Sequence, residues 1–179
     1  NDLIPMKAKI LDIGCGYGYM ALLLGLVSKD REIKGVDYDE EKIDVATHCS
    51  SRPENVSFLP SNIMDYEMER EDVFILSDVL HYLEPENQSI LIRRCIGHLN
   101  NDGKILIRDG NRELAKRHGI TKLTEIFSTN FGFNKTKNKL HFISESMLRE
   151  TAANNNMELR VIDNNKVTSN MLFVLSHKK

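Results

Sequence analysis

The sequence has no long hydrophobic run and no marked excess of charge of either sign. Its longest apolar stretch, 20–27, is too short to cross a bilayer as a helix. The formal net charge is −2 and the pI is about 6.3, which argues against a protein that wraps nucleic acid electrostatically. We therefore expect neither a membrane span nor a nucleic-acid partner.

Cysteine is scarce, and clusters of metal-binding residues are missing. The three cysteines, Cys15, Cys49 and Cys95, lie far apart, form no C-x-x-C pair and leave one unmatched in any disulfide scheme. This usage is typical of a reducing compartment and predicts a cytoplasmic protein. The six histidines are scattered along the chain, so no His/Cys metal site is predicted.

The chain also has no signal-peptide pattern and no initial methionine. This beginning predicts a piece of a longer polypeptide, whose other domains would then be partners. The 179 residues are nevertheless enough to bury a single core. We expect 1–179 to form one domain.

Short apolar segments alternate with segments of helical length along most of the chain. The predicted strands are 9–13, 32–36, 56–59, 73–77, 104–107, 158–162 and 171–175, and the predicted helices are 20–29, 40–50, 88–99 and 145–154. The last two strands are joined by too few residues for a crossover helix, so we expect them to pair antiparallel. The pattern predicts a three-layer α/β fold whose seven-stranded sheet is mostly parallel with one antiparallel strand.

Three glycines follow the first predicted strand in ILDIGCGYG, where Gly14, Gly16 and Gly18 are spaced G-x-G-x-G. A dinucleotide fingerprint needs G-x-G-x-x-G, and its third glycine is replaced here by Tyr19. A Walker phosphate loop closes with G-K-[ST], but no lysine follows the glycines before Lys29. Neither phosphate-binding loop is therefore supported.

An apolar strand that ends in Asp and is followed by G-x-G-x-G resembles the first motif of class I S-adenosylmethionine-dependent methyltransferases. The resemblance covers roughly 10–110 and the terminal strand pair. It implies a Rossmann-like fold with S-adenosylmethionine as the cofactor, bound against the bare backbone of Gly14 and Gly16. It also implies that Asp12 receives the cofactor's ammonium group, through the loop or an ordered water.

Further motifs extend the implied cofactor site. Asp37 ends the second strand, where a carboxylate can accept hydrogen bonds from ribose hydroxyls, although an NAD enzyme uses an acid in the same place. Tyr38 is expected to flank the adenine. The stretch LPSNIMDY resembles the third motif, with Asn62 in place of the usual Asp that binds the adenine amino group. The full implied set is Asp12, Gly14, Gly16, Gly18, Asp37, Tyr38, Asn62, Ile63, Ser77 and Asp78.

Structural roles remain open for the same residues. The glycines also suit a tight turn, Asp37 also suits a helix cap, and Asn62 also suits a turn without a ligand.

One histidine is the candidate catalytic residue. His81 lies in SDVLHYLEPEN, which looks like the segment of small-molecule O-methyltransferases where a histidine deprotonates a hydroxyl. An imidazole with its ordinary pKa of about 6.5 is mostly neutral at pH 7 and can accept that proton. Many relatives carry a histidine here without base chemistry, so a structural role stays open. Asp78 is a candidate to orient His81, and His118 and His141 are secondary candidate bases.

Magnesium-assisted transfer is the alternative to a histidine base. Asp78, Asp109 and Asn111 follow the fourth and fifth strands and supply oxygen ligands. The catechol-type family that uses magnesium has its Asp and Asn adjacent, whereas Gly110 separates them here. No metal is therefore included in the predicted site.

A basic insertion interrupts the α/β alternation. Residues 108–141 hold eight Lys or Arg against three acids, a net charge of +5, with phenylalanines interleaved. This composition predicts a substrate lid, 108–143, that suits an aromatic or acyl group on an anionic carrier, although a merely solvated face stays open. The amino-acid sequence of the insertion resembles that of methyltransferase domains fused to acyltransferases in bacterial aryl-polyene pathways. This resemblance implies an aryl acceptor on a carrier protein.

The expected function is methyl transfer from S-adenosylmethionine to a small-molecule or carrier-bound acceptor. Methylation of nucleic-acid bases is disfavoured because the fourth motif reads SDVL and lacks the N/D-P-P-Y that holds a planar amine. Two alternatives remain: a non-catalytic domain that binds S-adenosylmethionine or S-adenosylhomocysteine, and a nicotinamide-dependent oxidoreductase.

Overall fold

The computed structural model describes residues 2–111, 140–163 and 170–178. Strands and helices alternate along them in the order β1 (Ala8–Ile13), α1 (Tyr19–Val27), β2 (Arg31–Asp37), α2 (Glu40–Thr47), β3 (Val56–Pro60), β4 (Glu71–Ser77), a 3₁₀ turn (Leu80–Tyr82), α3 (Pro85–Gly97), β5 (Leu99–Gly110), α4 (Glu145–Asn154), β6 (Met157–Ile162) and β7 (Asn170–His177). None of these helices is long and apolar enough to cross a membrane.

The seven strands form one sheet in the order β3-β2-β1-β4-β5-β7-β6. Strands β1 to β5 are parallel to one another, whereas β7 runs antiparallel to both β5 and β6. The predicted α/β sheet with a single reversed strand is therefore confirmed. The reversed strand is the second-last strand of the sheet, because β7 inserts between β5 and β6.

Alternate residues of the central strands face two separate hydrophobic clusters. Ile10 of β1 packs with Ala21 and Leu24 of α1 on one face of the sheet, while its neighbour Leu11 packs on the other face with Leu91 of α3. This period of two is the geometry of an extended chain. Helices therefore cover both faces, which gives the expected three layers and leaves the ends of the strands for a ligand site.

The predicted end of the third helix is wrong. The sequence pattern places the helix at 88–99, followed by a turn, but α3 ends at Gly97 and the next residues already belong to β5. A β-bulge against the start of β4 accommodates them. Asn100 Nδ2 donates to Asp72 Oδ1 at 2.7 Å, and a Cβ on Gly103 would lie 2.8 Å from the carbonyl oxygen of Asp72. Tertiary pairing thus overrides the local turn signal.

The predicted lid, 108–143, falls mostly on residues 112–139, which lie outside the described residues. The same is true of His118 and of seven of the eight cations counted in the insertion. The lid and the single-domain boundary remain predictions.

Candidate functional site

The predicted site residues gather at one edge of the sheet. Strands β1, β2, β4 and β5 run parallel, so their carboxyl ends share this edge, where open α/β sheets bind their ligands. The loops after these ends carry the three glycines, Tyr38, Asp78 and His81. We call this edge the carboxyl edge and the opposite one the amino edge.

The glycines after β1 have three different surroundings. Gly14, Gly16 and Gly18 all have left-handed backbones, with φ of 70°, 54° and 74°, which glycine adopts without steric cost. A Cβ on Gly14 would lie 2.3 Å from Val79 Cγ2, and one on Gly18 would lie 2.4 Å from the Phe58 ring. A Cβ on Gly16 would meet nothing within 4 Å. The backbone is therefore open at Gly16, as the motif predicts for a closely approaching ligand.

Asp37 ties the glycine loop to the end of β2. Its Oδ2 accepts a hydrogen bond from Gly16 N at 2.8 Å, and its Oδ1 accepts one from Asp39 N at 3.0 Å. The cap of α2 is Asp39, whose Oδ1 accepts from Lys42 N at 3.4 Å, so the cap alternative for Asp37 is wrong. Each carboxylate oxygen has a second lone pair, which leaves room for the predicted contact with a ribose.

Asp12 is a buried carboxyl group with an unused acceptor. It is 2% exposed, and its Oδ2 has no hydrogen-bond partner among the described residues. Burial, together with the charge of Asp37, raises the pKa of Asp12 to about 7. A buried acceptor without a donor is rare. A cationic or hydrogen-bonding ligand group would fill the missing interaction.

The predicted adenine contacts are less organised. Tyr38 is 51% exposed, while Ile63 is buried. Asn62 Oδ1 accepts from Met64 N at 3.0 Å, and its Nδ2 donates to Asp65 Oδ2 at 2.7 Å. Asn62 thus has the local bonds of a turn residue, while a second lone pair on Oδ1 stays compatible with an adenine amino group.

His81 is held by a carboxylate from the neighbouring strand. The side chain of Asp109, at the end of β5, is fully buried; its Oδ1 lies 2.8 Å from His81 Nδ1, and its Oδ2 accepts from His81 N at 3.2 Å. An ionised carboxylate only accepts, so this contact places the imidazole proton on Nδ1 and the lone pair on Nε2. Within the described residues, Nε2 has no hydrogen-bond partner. This is the arrangement of an oriented general base.

The predicted role of Asp78 in orienting His81 is wrong. Asp78 instead pairs with Arg108 and accepts from Ser77 Oγ at 3.3 Å. Burial raises the pKa of Asp78, and Arg108 opposes the rise. Sequence reasoning treated Asp109 only as a possible metal ligand. Asp109 ends β5, which pairs with β4, the strand that precedes His81. This position at the end of a neighbouring strand is the signal that could have identified Asp109.

The alternative magnesium ligands are engaged in other contacts. Asp109 also accepts from Gly110 N at 2.7 Å. Asn111 Nδ2 donates to Glu145 Oε2 and lies near Met171 Sδ, at 3.2 Å in each case. In the part of the chain that is described, no group of three His, Cys, Asp or Glu side chains is arranged to hold a metal ion.

Aromatic rings and a returning segment border His81. The Tyr82 ring lies 4.2 Å from the imidazole between centroids, and the Phe142 ring lies 6.1 Å away. His141 N donates to the His81 carbonyl at 2.8 Å, while His141 Nε2 lies 3.2 Å from Glu84 Oε2. The secondary candidate His141 is thus already paired with a carboxylate, and Nε2 of His81 is the more available base.

Comparison with known sequences gives two relevant matches. A family model described as a methyltransferase domain matches residues 6–168. Carboxy-S-adenosyl-L-methionine synthase of Campylobacter lari is 26% identical over 138 residues, which are 73% of this chain and 57% of the synthase. The chain spans about half the length of the curated relatives it matches.

Solved structures share the fold. Magnesium protoporphyrin IX methyltransferase from Synechocystis, with bound S-adenosylhomocysteine, has a TM-score of 0.73 at 16% identity, covering 96% of this chain and 75% of that one. An O-methyltransferase from neocarzinostatin biosynthesis, in complex with S-adenosylmethionine and a naphthoic acid, has a TM-score of 0.66 at 18% identity, covering 95% and 49%. The predicted Rossmann-like architecture is confirmed.

Proposed function

Because the chain belongs to the family of methyltransferase domains whose model matches residues 6–168, we propose that it transfers a methyl group to a hydroxyl of a small-molecule or carrier-bound acceptor. The family match confirms the predicted class, and we propose S-adenosylmethionine as the cofactor. The observation that carries the acceptor chemistry is His81, whose Nδ1 lies 2.8 Å from Asp109 Oδ1 and whose Nε2 has no hydrogen-bond partner among the described residues.

The residues of the carboxyl edge fit S-adenosylmethionine. Open space at Gly16 admits a ligand against the backbone, and Asp12 Oδ2 offers an acceptor for an ammonium group or for a water bound to it. Asp37 accepts from Gly16 N, interacts electrostatically with Asp12, and offers its remaining lone pairs to a ribose. When bound, the cofactor supplies a sulfonium methyl group that is already activated.

His81 then has one chemical task. Its Nε2 would accept the proton of the acceptor hydroxyl, and a bound cofactor would supply the methyl group to that oxygen by cleavage of its S–CH₃ bond, with S-adenosylhomocysteine as the leaving group. Asp109 stabilises the imidazolium that results, because its carboxylate lies against Nδ1 in a buried site. Positioned proton transfer of this kind contributes about 10²–10⁴-fold to a rate.

The borders of His81 favour an aryl acceptor. Tyr82 and Phe142 place aromatic rings within 4.2 Å and 6.1 Å of the imidazole centroid, and such rings pack well against another ring. The O-methyltransferase from neocarzinostatin biosynthesis has a naphthoic acid bound. A carrier-bound acceptor is supported by the basic composition of 108–141.

A second candidate function is modification of the cofactor itself. It is favoured by the name of the Campylobacter relatives, carboxy-S-adenosyl-L-methionine synthase. The two functions differ in product, since methyl transfer releases S-adenosylhomocysteine and cofactor carboxylation does not.

A turnover assay separates these functions. The full chain is incubated with methyl-labelled S-adenosylmethionine and a panel of hydroxybenzoic acids, free and as carrier-protein thioesters. A parallel reaction holds the cofactor with a panel of carboxylic acids as carboxyl donors, and the products of both are identified by mass spectrometry. We expect S-adenosylhomocysteine and a methylated hydroxyl, with turnover lost in His81→Asn while the variant still binds S-adenosylhomocysteine. Full turnover in His81→Asn, or a carboxylated cofactor, would overturn the proposal. Binding of S-adenosylhomocysteine without turnover would identify a non-catalytic domain. A melting temperature that is raised by NADH and not by S-adenosylhomocysteine would identify an oxidoreductase.

A further inference from the structure

A buried amide lies behind the turn that carries His81. Gln88, in the first half of α3, is 2% exposed. Its Nε2 lies within hydrogen-bond distance of three carbonyl oxygens, those of Leu80 at 3.0 Å, Leu83 at 3.2 Å and His141 at 2.5 Å. An amide on the buried face of a helix is costly unless it is paired. Here its donor end is fully used by main-chain groups.

The three carbonyls belong to the two segments that border the candidate base. Leu80 precedes His81 directly, and Leu83 follows it by two residues. His141 belongs to the segment that returns beside the 3₁₀ turn, and its backbone N–H donates to the His81 carbonyl at 2.8 Å. Gln88 therefore joins the turn on one side to the returning segment on the other.

The side chain and the main chain of His81 are thus fixed by different residues. Asp109 orients the imidazole through Nδ1 and also accepts from the backbone N–H. Gln88 holds the carbonyls on both sides of the histidine. A general base must lie within hydrogen-bond distance of the proton that it removes, and a small displacement of the base lowers the rate strongly.

We propose that Gln88 is a positioning residue, which sets where Nε2 of His81 lies relative to the acceptor by holding the 3₁₀ turn and the segment at His141 together. This inference rests on the proposed role of His81 as the base. Only a donor suits the position. An apolar side chain of the same length removes the Gln88 donor from all three carbonyls, of which that of Leu80 keeps its bond from Leu83 N at 2.9 Å. An ionised carboxylate would repel the carbonyls.

The test compares Gln88→Met with a matched control at the amino edge. Asn55 is also an amide that bridges carbonyls, because its Nδ2 donates to Ser28 O at 3.0 Å and to Arg31 O at 2.7 Å. Asn55→Leu therefore removes similar bonds far from His81. Both full-length variants are labelled with ¹⁵N-histidine, and the His81 Nδ1–H signal is assigned by its absence in His81→Asn.

We expect Gln88→Met to lose or broaden the Nδ1–H signal and to lower kcat at least tenfold on the hydroxybenzoic acceptor found in the turnover assay. Its KM for S-adenosylmethionine should stay within twofold of that of the parent chain. Asn55→Leu should keep the signal and keep kcat within twofold. An unchanged signal and kcat in Gln88→Met, or equal losses in Asn55→Leu, would overturn the inference.

Gln88→Glu serves where the methionine variant fails to fold. A protonated glutamic acid can still donate to the carbonyls, whereas its carboxylate cannot, so the ratio of variant to parent kcat should fall as the pH rises. A ratio that is constant with pH contradicts the inference. The proposed function fails separately: if His81→Asn keeps turnover, His81 is not the base, whereas loss in His81→Asn without loss in the Gln88 variants removes only the positioning role.

Discussion

A buried charged side chain at each edge of the sheet differs in its hydrogen bonding. At the amino edge, the side chain of Arg31 is fully buried, and its nitrogens donate to the carbonyl oxygens of Ile4, Pro5 and Leu24, each at 3.0 Å. At the carboxyl edge, Asp12 keeps a buried oxygen without a partner among the described residues. The buried charge of Arg31 is thus satisfied by backbone groups, whereas the buried Oδ2 of Asp12 has no such partner.

The difference indicates which edge is built for a ligand. Buried polar groups are normally paired in a folded protein, so an unpaired carboxyl oxygen under an open glycine loop indicates an interaction that a bound molecule completes. Among the described residues, the amino edge also has one buried atom without a partner, Nε2 of His177. Leaving an imidazole nitrogen without a partner costs less than leaving a carboxylate oxygen without one.

The largest expected effect is on the Asp109–His81 pair. Asp109→Asn places amide hydrogens against donors of His81 and favours the wrong imidazole tautomer. We expect kcat to fall by roughly 10²–10⁴-fold, with the affinity for S-adenosylhomocysteine within threefold of that of the parent chain. Steady-state kinetics and calorimetric titration measure the two quantities. A kcat within a few-fold of the parent value would remove the oriented base from the account.

The second largest effect is expected in the glycine loop, where two alanine variants should change stability and ligand binding differently. A left-handed backbone costs an alanine roughly 1–2 kcal/mol, and Gly14→Ala adds a clash with Val79, so its free energy of unfolding should fall by more than that. Gly16→Ala meets no protein atom within 4 Å, so it should lose only the backbone contribution to stability, and it should also weaken S-adenosylhomocysteine binding. Gly97→Ala, with equal space in α3, should do neither. Denaturant melts and titrations decide, and unaltered binding by Gly16→Ala counts against the cofactor site.

The third effect concerns Asp12 and pH. Its pKa is raised from an ordinary value of 3.8 to about 7, so between these pH values the native state binds more protons than the unfolded state. Stability should therefore fall as the pH rises from 4 to 7 and level off above 7. Asp12→Asn removes the buried charge and should be more stable than the parent chain at pH 8, by up to about 4 kcal/mol. Melts without ligand at pH 5 and pH 8 measure this, and a parent curve that is flat between them contradicts it.

The affinity for a ligand should depend on Asp12 in the opposite direction, rising with pH where stability falls. A bound ammonium group favours ionised Asp12, so the affinity for S-adenosylhomocysteine should rise several-fold between pH 6 and pH 8 in the parent chain. Asp12→Asn should bind more weakly and lose this dependence. Titration at the two pH values shows it.

The smallest effect is expected at the amino edge. Burial raises the pKa of Glu71 to about 7, while Lys34 and Lys9 oppose the rise. Glu71→Gln should therefore raise stability above pH 7, by less than Asp12→Asn because the rise of the Glu71 pKa from 4.5 is smaller, and it should leave the affinity for S-adenosylhomocysteine unchanged at every pH. A change in that affinity would mean that the two edges are coupled, and the comparison between them would lose its meaning.

The sequence predicted the elements whose signals are local. Apolar runs such as 9–13 and 73–77 identified central strands, and the glycine spacing identified the loop at the carboxyl edge. The orienting role of Asp109 and the bridging role of Gln88 depend on which segments the fold brings together, and neither residue carries a local mark of this. The bulge at 100–103 escaped prediction for the same reason, since its turn-forming residues are held against β4 by contacts such as that from Asn100 Nδ2 to Asp72 Oδ1.

A crystal structure with S-adenosylhomocysteine tests the central claim most directly. The account predicts the ribose against Asp37, the backbone of Gly16 against the ligand, and the ligand's ammonium group, or a water bound to it, on the free oxygen of Asp12. The ligand's sulfur should lie at the carboxyl edge on the side of His81. A ligand at any other edge, or an unoccupied carboxyl edge at saturating concentration, would contradict it.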